Sequence, residues 1–498
     1  MHIPFKHAYA QLPAASFEKL PPRPVRDPQL IRFNYALAAE LNIELEDADP
    51  AHLAQVFAGN RLPDNAEPLA MAYCGHQFGQ LNPQLGDGRA ILLGDVIDRQ
   101  GQLRDIQLKG SGRTPFSRGG DGRCPLGPAL REYILCEAMH ALGVPTTRAL
   151  AVVASGEPVM RREPEPGAVF TRVAASHIRV GTLQYFALNQ DLVTLQALAD
   201  HSLERHYPEL DRTAEDRYVQ LFAAVCERQA QLIARWMELG FIHGVMNTDN
   251  MTLSGETIDY GPCAFMDVYR ADQVYSSIDQ FGRYAYRNQP AIGQWNLARL
   301  AEALLPLFPG DDEQRVELAM NVLNRFPQWQ QQAWETAMVK KLGFPEPEDG
   351  DRDLVEEGLV LLEQSGLDYT LFWRRLSQLT EPGASRQPVL ELLTLPGATD
   401  SKTQQQALEQ WLDQWQQNLT RREHPATARH RMERASPALI PRNHRVAEAI
   451  SAAEQGDYSV FETLVQALAD PWSELPRYQH LQHPPAPEER ILHTFCGT

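Results

Sequence analysis

Residues 241–263, FIHGVMNTDNMTLSGETIDYGPC, constrain this chain more than any other stretch, because they gather His243, Asp249, Asn250 and Asp259 within one short segment. Met251, Thr252 and Leu253 read as extended, Ser254, Gly255 and Glu256 as a turn, and Thr257 and Ile258 as the return arm. Such a hairpin brings Asn250 and Asp259 to the same end, within reach of one ion. Hard cations such as Mg2+ take oxygen ligands of this kind and leave positions for water and phosphate. An Asx-rich surface hairpin has the same local pattern without a metal, so the rest of the chain has to decide between the two.

The 498 residues allow two to four domain-sized units, and 43% hydrophobic content permits a sizeable core. With 46 basic against 64 acidic residues, the net charge of −18 argues against non-specific attraction to nucleic acid or anionic membrane. No apolar run approaches the roughly 18 residues that a membrane span needs. The first residues, MHIPFKHAYAQLPAASF, lack a secretory or transit pattern. The expectation is a soluble, cytoplasmic monomer with no nucleic-acid or membrane partner. The cysteines, at 74, 124, 136, 226, 263 and 496, show no ligand spacing and read mostly as small buried hydrophobes. Cys496, near the end of the chain, is the exception as a reactive candidate.

Residues 1–65 are proline-rich and then helical around 30–41, and read as a wrapping extension. A glycine-rich texture begins at Ala70, with strands expected over Ala90–Ile97 and 103–108. Gly86, Gly88 and Arg89 stand just before the first strand, and Lys109 closes the second. Glycines let backbone N–H groups approach an anion, while the lysine supplies charge. A second glycine-rich basic segment, 109–123, follows directly and includes Asp121 and Gly122. Residues 128–142 read as an amphipathic helix. Its Glu132 is either an ion-pair partner for Lys109 or a solvated helix glutamate. Arg172 and Arg179 lie further on, with planar guanidinium forks suited to phosphate. A long helix over 215–239, stopped by Gly240, delivers the chain into the opening segment, and the remainder is mainly helical.

The order of parts is glycine loop, two strands ending in lysine, glutamate helix, helical half, His-Gly loop with Asn, then Asp-aromatic-Gly. That is the order of a protein-kinase-like fold. The expectation is therefore an α+β bilobal architecture. A β-rich lobe spans 66–185 and an α-rich lobe 186–340, flanked by the extension 1–65 and a mainly helical extension 341–498. One departure matters: where small-molecule kinases of this superfamily place a catalytic aspartate, this chain has Val245. Asp249 is the nearest replacement carboxylate.

Several long motifs carry a closer resemblance: AYCGHQFG (72–79), LGDGRA (85–90), LKGSGRTPFSRGGDGR (108–123), GVPTTRAL (143–150), HGVMNTDNM (243–251), DYGP (259–262) and PRNH (441–444). With these the chain resembles the selenoprotein O family over nearly its whole length. The resemblance implies a protein adenylyltransferase that binds ATP in an orientation flipped relative to ordinary kinases and moves AMP onto a protein hydroxyl. It implies nucleotide contacts from Gly86, Gly88, Arg89, Lys109, Asp121, Gly122, Arg172, Arg179 and Asp259, with Glu132 as the partner of Lys109. Asp249 would be the proton acceptor, and Asn250 and Asp259 the ligands of Mg2+ or Mn2+. The family is also linked to redox control near the C-terminus, where Cys496 sits. The position of a partner cysteine in some bacterial relatives is Tyr275 here, with Cys263 as a substitute. Alternatives left open are UMP transfer from UTP with Mn2+, γ-phosphoryl transfer by a kinase with a displaced base, and a catalytically inactive nucleotide-binding scaffold.

Overall fold

A computed structural model describes residues 1–399 and 401–495. Its strands, in chain order, are β1 (Phe17–Lys19), β2 (Gln29–Phe33), β3 (Leu69–Met71), β4 (Gly75–Gln77), β5 (Gln80–Asn82), β6 (Ala90–Ile97), β7 (Leu103–Lys109), β8 (Cys124–Pro125), β9 (Arg148–Met160), β10 (Pro164–Ala174), β11 (Phe241–Ile242) and β12 (Ala264–Phe265). Eight of them form an antiparallel sheet ordered β1-β3-β6-β7-β10-β9-β2, with β8 beside β10. The first 65 residues thus supply both edge strands. They also supply the short helices α1 (Tyr35–Glu40) and α2 (Pro50–Phe57).

Strand alternation decides what each sheet face offers. On β7, Ile106 and Leu108 pack against Phe33, Leu37, Leu53 and Phe57 of the N-terminal residues, so Asp105, Gln107 and Lys109 face the other way. On β10, Val169 and Val173 join that same outer core, whereas Ala168 and Phe170 belong to the inner one, which puts Arg172 on the inner face. The register sets Arg172 opposite Gln107 and Phe170 opposite Lys109. Each fully buried side chain of this size contributes roughly 1.5–3 kcal/mol, so the outer apolar layer fixes the strands that aim the inner polar one.

The inner face is covered by α3 (Leu126–Ala141). Then follow α4 (Val180–Leu188), α5 (Leu192–His206), α6 (Arg217–Leu239), α7 (Gln289–Leu304), α8 (Asp312–Leu323) and α9 (Phe326–Lys341). Helix α6 ends as expected: Gly240 adopts the left-handed φ of 71° that a side chain would disfavour. The C-terminal helices are α10 (Asp351–Ser365), α11 (Tyr369–Leu376), α12 (Gln387–Leu390), α13 (Lys402–Arg422), α14 (Pro425–Ala435), α15 (Asn443–Glu454) and α16 (Ser459–Leu468). Those from α10 to α14 build a separate core around Trp373, Trp411 and Trp415. The glutamines of α13 are the solvated face of a helix that buries Leu408, Trp411, Leu412, Trp415 and Leu419.

The α+β, kinase-like architecture read from the sequence is the one observed, with the antiparallel sheet in the N-terminal part and helices in the C-terminal part. Two local expectations change. The segment around 30–41 is strand β2 followed by α1, because Asn34 interrupts it: its side chain accepts from Leu37 N at 3.1 Å and caps the helix. Residues 251–258 do not pair as a hairpin. Thr252 bridges to Arg179, just before α4, and Thr257 to Thr146, between α3 and β9, so each arm bonds to a distant connection, while the Thr252 hydroxyl closes the turn on Glu256 O at 2.8 Å. Among the described residues, no helix is long and apolar enough to cross a membrane.

Candidate active site

Lys109, Arg172 and Arg179 converge on the carboxylate of Asp259. Lys109 Nζ donates to Asp259 Oδ1 at 3.1 Å and Arg172 Nη1 to the same oxygen at 2.6 Å, while Arg179 Nη1 reaches Oδ2 at 2.6 Å. Glu132, buried on α3 rather than solvated, faces the same group: its Oε2 lies 2.5 Å from Lys109 Nζ and its Oε1 3.1 Å from Arg172 Nη1. Three cations therefore meet two carboxylates. Burial would raise the Asp259 carboxyl, but Arg172, Lys109 and Arg179 outweigh it and hold the group well below the usual carboxylate range. Asp259 also sits at φ 60°, a left-handed conformation that Asp tolerates better than most residues. Gln107 anchors the other arm of the Arg172 fork at 2.7 Å.

Arg179 ties this cluster to the loop before it, donating from Nη1 to the backbone oxygen of Asp249 at 2.6 Å. The Asp249 side chain is buried. Gln77 Nε2 donates to its Oδ2 at 3.1 Å, whereas Oδ1 has no partner among the described residues. Burial, the largest influence, pushes this carboxyl up to about 6. Asn250 donates its amide to Val245 O at 3.0 Å, so Val245, at the expected place of a kinase base, acts through its backbone.

The β4–β5 hairpin was not among the expected site elements. Besides Gln77, His76 N donates to Thr248 Oγ1 at 2.8 Å and Phe78 N to Asn247 Oδ1 at 3.1 Å, so the hairpin clamps residues 247–249. Gly75 is required there, since a Cβ would lie 2.4 Å from Asp249 Oδ1. Asp87 was also missed. Between Gly86 and Gly88 it turns inward, accepting from Met71 N at 3.0 Å and Gln107 Nε2 at 3.2 Å, and burial pushes it up to about 6. A glycine–histidine–glutamine run next to a short strand was the available signal for the first, and an acid inside a glycine loop for the second.

The two glycine-rich loops lie on one another. Thr114 Oγ1 donates to Asp87 O at 2.7 Å and Ser117 Oγ bonds Gly88 O, while a Cβ on Gly86 would strike the Phe116 ring at 2.3 Å. Gly110 N donates to Arg89 O at 2.7 Å, and Gly122 packs on Gly112, whose N–H it accepts at 3.0 Å. Asp121 is not brought to the cationic cluster; it binds Arg161 at 2.8 Å and Arg123 N at 2.8 Å on the exposed side of its loop. Cys263 and Tyr275 are buried, and Tyr275 O accepts from Thr494 N at 2.7 Å. Cys496 lies outside the described residues.

Oxygens of the kind a hard divalent cation takes are present: Asn250 commits its amide nitrogen to Val245 and leaves its carbonyl oxygen, Asp259 is held ionised, and Asp249 Oδ1 is buried with no partner among the described residues.

A lysine–glutamate pair on strand and helix, with an aspartate brought to it from the other lobe, defines a kinase-like nucleotide enzyme. The family model described as "Protein adenylyltransferase SelO" matches residues 1–469. Relatives carrying the name "Protein nucleotidyltransferase YdiU" include one from Rhizobium johnstonii, 55% identical over 500 residues, covering 100% of this chain and 97% of the relative. Another, from Rhizobium meliloti, is 54% identical and covers 99% of both chains. A third, from Bradyrhizobium diazoefficiens, is 51% identical and covers 100% of both. The chain belongs to the SelO family and is a nucleotidyltransferase.

Proposed function

We propose that the chain is a protein adenylyltransferase that moves AMP from ATP onto Ser, Thr or Tyr hydroxyls of other proteins and releases pyrophosphate. The observation that carries this reading is the buried Asp249 Oδ1, without a partner among the described residues, beside a cluster in which three cations meet two carboxylates. Lys109, Arg172 and Arg179 bind and orient the phosphates, with Glu132 holding Lys109 in place. The glycine loops at Gly86, Gly88 and Gly122, together with Arg89 and Asp121, close over the rest of the nucleotide. Asn250 and Asp259 hold Mg2+ or Mn2+, which supplies charge neutralisation on the phosphates.

In the transfer step the acceptor hydroxyl oxygen forms a bond to the α-phosphorus as the bond to pyrophosphate breaks. Its proton passes to Asp249, whose free oxygen and raised affinity for a proton suit an acceptor working near neutral pH. Incubation with α-labelled and, separately, γ-labelled ATP plus Mg2+ tests the reading. Protein label from the α position alone is the expected result. Label from γ alone would make the chain a kinase, no label from either a scaffold, and stronger label from UTP with Mn2+ a uridylyltransferase.

A further inference from the structure

A cleft of about 1250 Å3 opens on the C-terminal side of the molecule, between α6, α9 and α14, outside the nucleotide cluster. Five lysine or arginine side chains line it, against two glutamates. One glutamate, Glu238, is buried and already neutralised, by Lys341 at 3.0 Å and by Arg235. Arg431 is taken by Glu423 at 2.8 Å, and Arg228 bonds His206 O at 2.6 Å. Lys340 and Arg434 are different. Both are exposed, as is His430 beside them, and none of the three has a side-chain partner among the described residues. Glu227 is the remaining acid, on the opposite wall. Half-buried Trp329 adds apolar surface to the cleft.

A chain of net charge −18 repels acidic partners at long range. A concave basic site with unspent donors can still select an acidic ligand at short range, because fields are screened beyond about 10 Å at ordinary salt. Its walls also touch the catalytic elements by connectivity. Gly143 and Pro145 follow the helix that bears Glu132, and Ser254 and Gly255 belong to the turn between Asn250 and Asp259.

We infer that this cleft docks an acidic segment of a partner protein, with an apolar side chain of that segment against Trp329 and its carboxylates on Lys340, Arg434 and His430. The use of such docking, to hold an acceptor protein, rests on the protein-transfer reading above; the binding itself does not.

The test uses the full chain without nucleotide. A fluorescein-labelled, glutamate-rich peptide with one leucine is titrated by fluorescence anisotropy, beside the same peptide with lysine for glutamate and a single-stranded RNA oligonucleotide. The acidic peptide is expected to bind, more weakly as salt rises, and the lysine peptide not to bind. The double variant Lys340→Glu/Arg434→Glu should weaken binding by about tenfold or more, and Trp329→Ala should weaken it separately. The double variant should keep the circular dichroism spectrum of the wild type and bind labelled ATP as the wild type does, which shows that it is folded and that the cleft is distinct from the nucleotide cluster. Absence of wild-type binding, equal binding of the lysine peptide, preferential binding of RNA, or indifference to the double variant would each overturn the inference. If no label is transferred at all yet the peptide binds as described, the transfer reading fails and the cleft stands.

Discussion

Two buried ionic groups, one built on Asp259 and the other on Arg442, differ in how completely they are satisfied. Around Asp259, three cations face two carboxylates, and Nε of Arg172, Nε of Arg179 and Oδ1 of Asp249 are buried without partners among the described residues. Around Arg442, one guanidinium faces Asp267 and Asp368, and its donors are used: Nη1 on Asp267 and, at 2.8 Å, on Asp368, Nη2 on Asp368 at 3.2 Å, and Nε on Gln482 O at 3.0 Å. The second group pins the C-terminal helices to the segment after Asp259. Asp368 also caps α11, accepting from Leu371 N at 2.8 Å. In the first group a ligand can still complete what the protein leaves open, whereas in the second each nitrogen of the Arg442 guanidinium already donates to the protein.

Substitutions in the two groups should therefore have opposite signatures. The largest expected effect is on transfer: Asp259→Asn should lower α-label incorporation by about a thousandfold, roughly 4 kcal/mol at 1.4 kcal/mol per tenfold. It should remain folded by circular dichroism, because an amide can still accept from one of the cations. Arg442→Ala should act on stability, costing roughly 3–5 kcal/mol by leaving two acids buried without their cation. Urea unfolding measures this, and transfer per folded molecule should change little. If Arg442→Ala instead abolished transfer without loss of stability, the division between the two groups would be wrong.

A third expectation concerns pH. Burial raises the Asp249 carboxyl to about 6, so the group is ionised and able to accept a proton above that pH and protonated below it. Transfer should fall by roughly tenfold per unit as pH drops below 6, in a label assay run over a pH range where the fold is intact. The smallest effect belongs to Gln77→Ala, which removes the 3.1 Å bond to Asp249 Oδ2. A hydrogen bond to a charged group contributes about 1.5–3 kcal/mol. A rate loss of roughly 10- to 100-fold with an unchanged ATP KM, partly restored in Gln77→Asn, would mark it as a positioning residue.

What was legible in the sequence followed from local periodicity and order. Apolar runs of strand length marked β6 and β7, and helical spacing with a glycine stop marked α6. The lysine strand, glutamate helix and Asp-Tyr-Gly segment arrived in kinase order, so the meeting of Lys109 with Glu132 and Asp259 could be expected from the sequence. The contact of Gln77 with Asp249 spans 172 residues and leaves no periodic trace, because a backbone hairpin can dock on any loop of matching shape. The Arg442 group was hidden for the same reason: the PRNH motif is visible, but its partners Asp267 and Asp368 are distant acids of ordinary appearance. The arms of residues 251–258 were misread as paired because their hydrogen-bond partners, Arg179 and Thr146, come from connections that a local pattern does not contain.

The central claim is that the incomplete group around Asp259 and Asp249 moves AMP. Its most direct measurement is labelling from α- and γ-labelled ATP by the wild-type chain and by Asp249→Asn, side by side. The account predicts label from the α position alone in the wild type and from neither position in the variant. Undiminished α label in Asp249→Asn, or γ label in the wild type, would contradict it.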